Sequence, residues 1–351
     1  MRLGLGPGLA LLSAVLFGAS TPLAKLLLDQ IDPWMLAGLL YLGSGVGLTI
    51  VRVVSRSVWR GAPREATLRG GEWGWLSLAV VAGGGIGPVL LMVGLARSAA
   101  TTAALLLNLE GVLTAMLAWF VFRENFDRRI ALGMAVISAG ALVLSWNGGA
   151  ALDDALGPLA IAGACLAWAV DNNLTRKISL SDPVQIALMK GGAAGMVNIA
   201  IALALGSRWP GPGPLAAAAV VGLAGYGVSL VLFVVALRHI GTARTGAYFS
   251  LAPFFGAIIA VLVVREPVTP QLLVAGALMG AGVWLHLTER HEHEHAHDAM
   301  AHAHRHGHDE HHRHAHDRSA PSGEPHVHPH THVRLRHGHP HFPDIHHRHD
   351  H

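Results

Sequence analysis

The chain has 351 residues, of which 52% are hydrophobic and 13% charged, with a mean hydropathy of +0.44 and a formal net charge of +3. A soluble domain carries about a quarter charged residues, so that composition excludes a soluble globular body. The charge is also uneven: of the 25 histidines, all but His239 and His286 lie beyond Thr288, which sets a polar tail apart from an apolar membrane body.

A helix needs ~20 mostly apolar residues to cross ~30 Å of hydrocarbon. In chain order, segments 8–28, 33–52, 73–95, 99–122, 130–146, 156–176, 183–206, 215–238, 242–264 and 269–288 meet that requirement. Met1-Arg2 resembles the start of a secretory signal. The run from Gly8 to Leu28 is nevertheless long enough to span, and no cleavage site before a soluble domain follows, so it reads as a retained helix. The links Asp29 to Asp32 and His239 to Gly241 are short enough to force antiparallel neighbours. In the third segment, Gly83-Gly84-Gly85-Ile86-Gly87-Pro88 weakens the helix at mid-membrane. A bend or break there is tolerated only where the freed backbone groups line a cavity. Other glycines, among them Gly45, Gly191, Gly192 and Gly282, read as close-packing positions. Cys165, the single cysteine, excludes a disulfide framework and reads as ordinary helix packing.

The body reads twice. The block from Gly83 to Ala141 recurs 142 positions later without a gap: Gly83-Gly84-Gly85 falls on Gly225-Tyr226-Gly227, and Arg123-Glu124 on Arg265-Glu266. The first helix repeats too, with Phe17-Gly18-Ala19-Ser20-Thr21-Pro22 matching Trp168-Ala169-Val170-Asp171-Asn172-Asn173. Basic residues set orientation. With the N-terminus inside, Arg52, Arg56, Arg60, Arg64, Arg69, Arg123, Arg128, Arg129, Arg176, Lys177, Arg238 and Arg244 are cytoplasmic, against Lys25, Arg97, Arg208 and Arg265 outside. Both termini are therefore expected in the cytoplasm. Five helices is an odd number, so the second copy must be inserted upside down. The expected fold is an all-α integral membrane protein of ten transmembrane helices in two inverted five-helix repeats, 1–146 and 147–288. A disordered His-rich tail, 289–351, is expected to follow, because its apolar content is too low for a core.

Ten helices in two such repeats, an aromatic-Gly/Ala entry to each first helix, and Arg-Glu at the end of each fourth together resemble the drug/metabolite transporter superfamily, most closely the EamA-type transporters. In that family an Asp-Pro precedes the second helix of each repeat and a basic residue follows some seven positions on. Asp32-Pro33 and Asp182-Pro183 fit, and Lys190 takes the basic position in the second half; Leu40-Tyr41 stands where the base would be in the first. The resemblance implies a secondary exporter or exchanger with a central cavity between the repeats. Members associated with nickel and cobalt efflux are similar in carrying a histidine-rich tail.

Glu110 is the first candidate for the transport pathway. It sits halfway along its helix, at the depth where an ionised carboxylate is most costly. Ala99, Ala103, Glu110, Thr114 and Ala118 share one small, polar helical face, so Glu110 either lines a cavity or bonds between helices. Its repeat partner is Ala252, so the halves are not chemically equivalent. Asp171, Asn172 and Asn173 form a polar knot in the sixth helix, opposite Ser20 and Thr21 in the first. They either supply oxygen ligands to the pathway or mark an early helix end. Lys190 either pairs with Asp171 or an anionic substrate, or snorkels to the interface. Asn108 and Ser250, which correspond across the repeat, are further candidates.

In the tail, His291, His293, His295 and His297, then His302, His304, His306 and His308, then His326, His328, His330 and His332 recur in His-x-His spacing. Imidazole with a reference pKa of ~6.5 is largely neutral at cytoplasmic pH, and borderline divalent cations favour nitrogen ligands. The tail is therefore expected to bind metal with poor selectivity. No nucleophile–base pair or compact metal triad occurs in the body, so no enzyme and no cofactor are expected. The expected function is export of a small solute across the inner membrane by proton exchange, with Ni or Co as the leading cargo. A metabolite or drug exporter with a metal-binding regulatory tail, and a non-transporting metal-binding membrane protein, are the alternatives. Expected partners are the lipid bilayer and a small solute or divalent ion, with a second copy as a candidate and no nucleic acid.

Overall fold

The computed structural model describes residues 5–58, 70, 72–121, 128–146, 152–176, 178, 182–233, 235–236, 245 and 248–287, with tail segments 292–297, 300–306, 326–332 and 335–340. Among the described residues of the body every regular element is helical. We number them α1 (Leu5–Leu27), α2 (Pro33–Val58), α3 (Glu72–Ala96), α4 (Ala100–Leu106 and Leu109–Phe120), α5 (Arg128–Ser145), α6 (Leu152–Arg176), α7 (Pro183–Ala204), α8 (Pro212–Phe233), α9 (Ala252–Val264) and α10 (Pro270–Leu287). Seven are long and apolar enough to span a bilayer, and the described parts of α5, α9 and α10 are shorter apolar helices. Among the described residues the apolar runs are helical, with turns at Leu107–Asn108 inside 99–122 and at Ser250–Leu251 inside 242–264. Leu142, Val220 and Leu262 lie on the outside with most of their surface open, as lipid-facing side chains do.

The second helix of each repeat starts in the same way. Asp32 Oδ1 accepts the backbone N–H groups of Trp34 at 2.9 Å and Met35 at 3.4 Å, and Asp182 Oδ1 those of Val184 at 2.9 Å and Gln185 at 3.3 Å. Each aspartate satisfies orphan donors of the first turn, and the proline that follows fits the first helical position, where an N–H is not needed.

Helix packing keeps its pattern when the two repeats are exchanged. α2 lies along α7, and α5 along α10; each pair is its own counterpart. α1 packs on α9 and α8, and correspondingly α6 packs on α4 and α3. Small residues allow these contacts: a Cβ on Gly45 would run into the backbone of Gly192, and one on Gly282 would lie 2.7 Å from the Gly133 carbonyl oxygen. Close backbone approach of this kind is how helices associate where burial of apolar surface gives no gain.

The Gly-rich stretch of α3 does not break the helix. Val80–Ile86 is a π-helical segment, and so is Gly222–Val228 in α8, displaced from it by the 142 positions of the sequence repeat. The widened turn frees carbonyl groups inside the body, and side chains satisfy them. Gly83 O accepts Tyr41 Oη and Trp168 Nε1, each at 2.9 Å, and Gly84 O accepts Asn198 Nδ2 at 2.9 Å.

Four segments of the tail are described. Glu292–His297 pairs antiparallel with Leu335–Pro340, and Met300–His306 with His326–His332. These segments are extended, and strict alternation of residue types over two positions matches the strand period. The register sets His302 opposite His330, His304 opposite His328 and His306 opposite His326. His291 and His308 lie outside the described residues.

Candidate functional site

The polar residues singled out in the sequence converge between α4, α6 and α7. Helix α6 runs to Arg176, so Asp171, Asn172 and Asn173 stand within it and not at an early end. Lys190, two turns into α7, donates to Asp171 Oδ1 and Oδ2 at 2.6 Å each and to Thr175 Oγ1 at 3.3 Å. Thr175 in turn donates to Asp171 Oδ1 at 2.9 Å. The lysine is thus a partly buried counter-charge to Asp171. Asp171 also sits against the π segment of α3, where a Cβ on Gly83 would overlap its carboxylate.

Glu110 bonds to the same helix. Its Oε1 accepts Asn172 Nδ2 at 2.8 Å, and that amide reaches Thr114 Oγ1 at 3.5 Å. Asn173 Nδ2 ties the helices again through Thr114 O at 3.4 Å, besides its own-helix bond to Ala169 O at 2.9 Å. The expected continuous face from Ala99 to Ala118 is interrupted, because Leu107 and Asn108 leave the α-helical path between Ala103 and Glu110. Glu110 and Thr114 remain one turn apart on the second piece and meet Asn172 together. Glu110 bonds between helices, and it stays partly open beside the exposed Asn172.

The counterpart of this cluster in the other repeat is aromatic. Ser20, buried, donates to Phe17 O at 2.6 Å and lies against Gly225, as Asp171 lies against Gly83. Thr21 is buried beside it. Where the first repeat lacks a base, Tyr41 packs against Tyr226 with ring centroids 5.4 Å apart. Phe17 continues the stack to Tyr226 at 5.9 Å and to Phe249 at 5.3 Å, and Phe249 meets Phe233 at 4.9 Å. Tyr41, Tyr226 and Glu110 each keep part of their surface open. Among the described residues, no three His, Cys, Asp or Glu side chains are grouped to hold a metal ion.

Asn108 stays outside the cluster. It is buried, donating to Leu105 O at 2.9 Å and facing Met279 Sδ at 3.9 Å on α10. Ser250 is half-buried at the turn before α9. Sequence reading passed over Tyr41, Tyr226, Phe249 and Asn198. The signal was present for Tyr226, which aligns with Gly84 at the π segment, but aromatic residues in an apolar helix do not announce a cavity.

Residues 4–146 and 155–288 each match the EamA-like transporter family. The chain belongs to that family. It is 29% identical over 287 residues to an uncharacterized transporter of Methanothermobacter thermautotrophicus, covering 78% of this chain and 83% of that one. Over 113 residues it is 37% identical to a probable 4-amino-4-deoxy-L-arabinose-phosphoundecaprenol flippase subunit ArnE of Pseudomonas fluorescens, covering 30% of this chain and 96% of that one. A solved crystal structure superposes with a TM-score of 0.59 at 18% identity, over 79% of this chain and 95% of the other, so the fold is shared. The transporter is therefore a multi-pass membrane protein whose polar cluster lies at the interface of its repeats.

Proposed function

We propose that this transporter exports a small organic solute by alternating access, in exchange for protons, with Glu110 as the coupling carboxylate. The observation that carries the reading is the asymmetry of the two repeats: Glu110, Asn172 and the Asp171–Lys190 pair form a polar cluster between α4, α6 and α7, and the corresponding place in the other half holds a run of aromatic rings. A carboxylate hydrogen-bonded by a neutral amide can take up a proton when cargo leaves, while the lysine–aspartate pair holds α6 to α7 without net charge. The similar flippase subunit is named for a substrate bearing an amino sugar, which fits a cleft with both acidic and apolar walls. The reaction makes and breaks no covalent bond, and both termini lie in the cytoplasm of a cell whose inner membrane holds the protein. Uptake into inverted vesicles of a panel of amines and amino acids should be driven by an imposed pH gradient and abolished in Glu110→Gln. Transport that persists in that variant would remove Glu110 from the coupling step.

A second reading, export of nickel or cobalt, rests on the histidine-rich tail, where the register sets His302, His304 and His306 opposite His330, His328 and His326. In this reading the tail collects metal for the chamber. Cells carrying and lacking the gene, plated on nickel, cobalt and zinc, would decide it; equal tolerance of all three metals would end it. Under the first reading the tail binds metal in a regulatory role, and deleting it leaves solute flux intact.

A further inference from the structure

The histidines of the tail hold defined places in two strand ladders. Glu292–His297 pairs with Leu335–Pro340, and Met300–His306 with His326–His332. One register serves both: Glu292 faces Pro340, and fourteen residues further on His306 faces His326, fourteen residues back. In the first ladder His293 faces His339 and His295 faces His337. In the second His302 faces His330, His304 faces His328 and His306 faces His326. Residues two apart share a face of a strand, so each ladder has one face on which histidine stands opposite histidine. The other face of the second ladder has Ala301 opposite Thr331, Ala303 opposite Pro329 and Arg305 opposite Val327, with no imidazole, thiol or carboxylate among them.

His-x-His spacing by itself does not produce this arrangement. It aligns histidines along one strand, but a register shifted by one residue would set His304 against Val327 or Pro329. The register present brings neighbouring pairs, such as His302–His330 and His304–His328, to the corners of a patch about 5 Å across with diagonals of about 7–8 Å. Four imidazoles converging from such a patch suit one four-coordinate divalent ion with metal–nitrogen distances of about 2.0–2.1 Å, and borderline ions favour nitrogen ligands. An isolated two-stranded ribbon is marginal in water, so an ion held by both strands at once supplies free energy that keeps them paired. Among the described residues of the helical body no three His, Cys, Asp or Glu side chains are grouped in this way.

We infer that each ladder binds one borderline divalent cation between its strands, through two adjacent cross-strand histidine pairs. His293–His339 and His295–His337 form the first site, and two neighbouring pairs among His302–His330, His304–His328 and His306–His326 form the second. The tail is then a clasp with two defined sites, and not a loose chelator whose capacity follows its histidine count. The inference goes beyond both readings of the cargo and holds whichever solute crosses the membrane.

Rearrangement at constant composition tests it. Exchanging Val327 with His328 and His330 with Thr331 (Val327→His, His328→Val, His330→Thr, Thr331→His) keeps the number of histidines. It leaves no two adjacent histidine pairs across the second ladder, in the present register or in one shifted by one or two residues. Full chain in detergent, titrated with zinc chloride and with nickel chloride by calorimetry, should bind about two ions tightly; the rearranged chain should keep about one, the other being weakened at least about tenfold. Zinc should also slow trypsin cleavage after Arg305, inside the second ladder, several-fold in the unaltered chain and not in the rearranged one. Unchanged stoichiometry and affinity after rearrangement, graded uptake of many ions without a tight pair, or cleavage after Arg305 indifferent to zinc overturns the inference.

Discussion

Asp171 and Lys190 show how strongly one residue depends on another inside a membrane. Their side chains are 7% and 17% exposed, and removing either partner leaves a charge that neither water nor lipid stabilises. Lys190→Met alone should cost about 3–5 kcal/mol of stability, read as a lowered thermal unfolding midpoint in detergent. Asp171→Asn together with Lys190→Met should recover much of that loss, because the pair is removed as a unit; failure to recover would mean the lysine serves a different partner. The freed carbonyls of α3 give a graded comparison. Gly84 O has one side-chain donor, Asn198, whereas Gly83 O has two, Tyr41 and Trp168. Asn198→Leu should therefore destabilise by about 1–3 kcal/mol, and Trp168→Phe by less. Midpoints in the reverse order would refute the donor accounting.

Among elements, the π segments of α3 and α8 matter most. Both occur where glycine clusters lower the cost of an off-pattern turn, and both face the first helix of the opposite repeat, at Asp171 and at Ser20. Gly83→Ala should displace Asp171 and cost transport far more than Gly85→Ala, whose Cβ would meet only Val80 O at 3.8 Å. A second device is the Arg-Glu repeat motif. Arg265 adopts a left-handed turn (φ 60°), and Glu266 then caps α4 from the other repeat: its Oε1 accepts Ala100 N at 2.6 Å and its Oε2 accepts Thr101 N at 2.8 Å. Glu266→Ala should lower stability by about 1 kcal/mol, the usual worth of an N-cap, and chemical unfolding of the variant checks it. The matching Arg123-Glu124 lies outside the described residues.

For the whole molecule, cross-repeat contacts cluster at the side where α4 and α10 begin. Glu266 meets α4 there, and Gln271 Nε2 donates to Val143 O at 2.6 Å and Trp146 O at 2.7 Å. At the opposite side Arg52 pairs with Asp182 at 2.8 Å, joining α2 to α7. Alternating access requires one set to loosen while the other holds. With Glu266→Ala and Gln271→Ala combined, cysteines placed near Ala100 should label faster from outside the cell; unchanged labelling would deny these contacts a gating role. Reporter fusions should place both chain ends in the cytoplasm, as the distribution of arginine and lysine requires.

Much of this was legible in the residues alone. Apolar run length fixes where the helices form, duplication at a constant offset fixes the symmetry of packing, and a lone carboxylate halfway along an apolar helix marks a place where helices bond to one another. Those properties are local or periodic, so they survive without coordinates. What only the tertiary structure decided is which groups meet. The interruption at Leu107–Asn108, the donors to Gly83 and Gly84, the trans cap by Glu266 and the ring wall from Tyr41 to Phe249 each join segments tens to hundreds of residues apart. No periodicity encodes such pairs, because they arise from how the helices pack on one another.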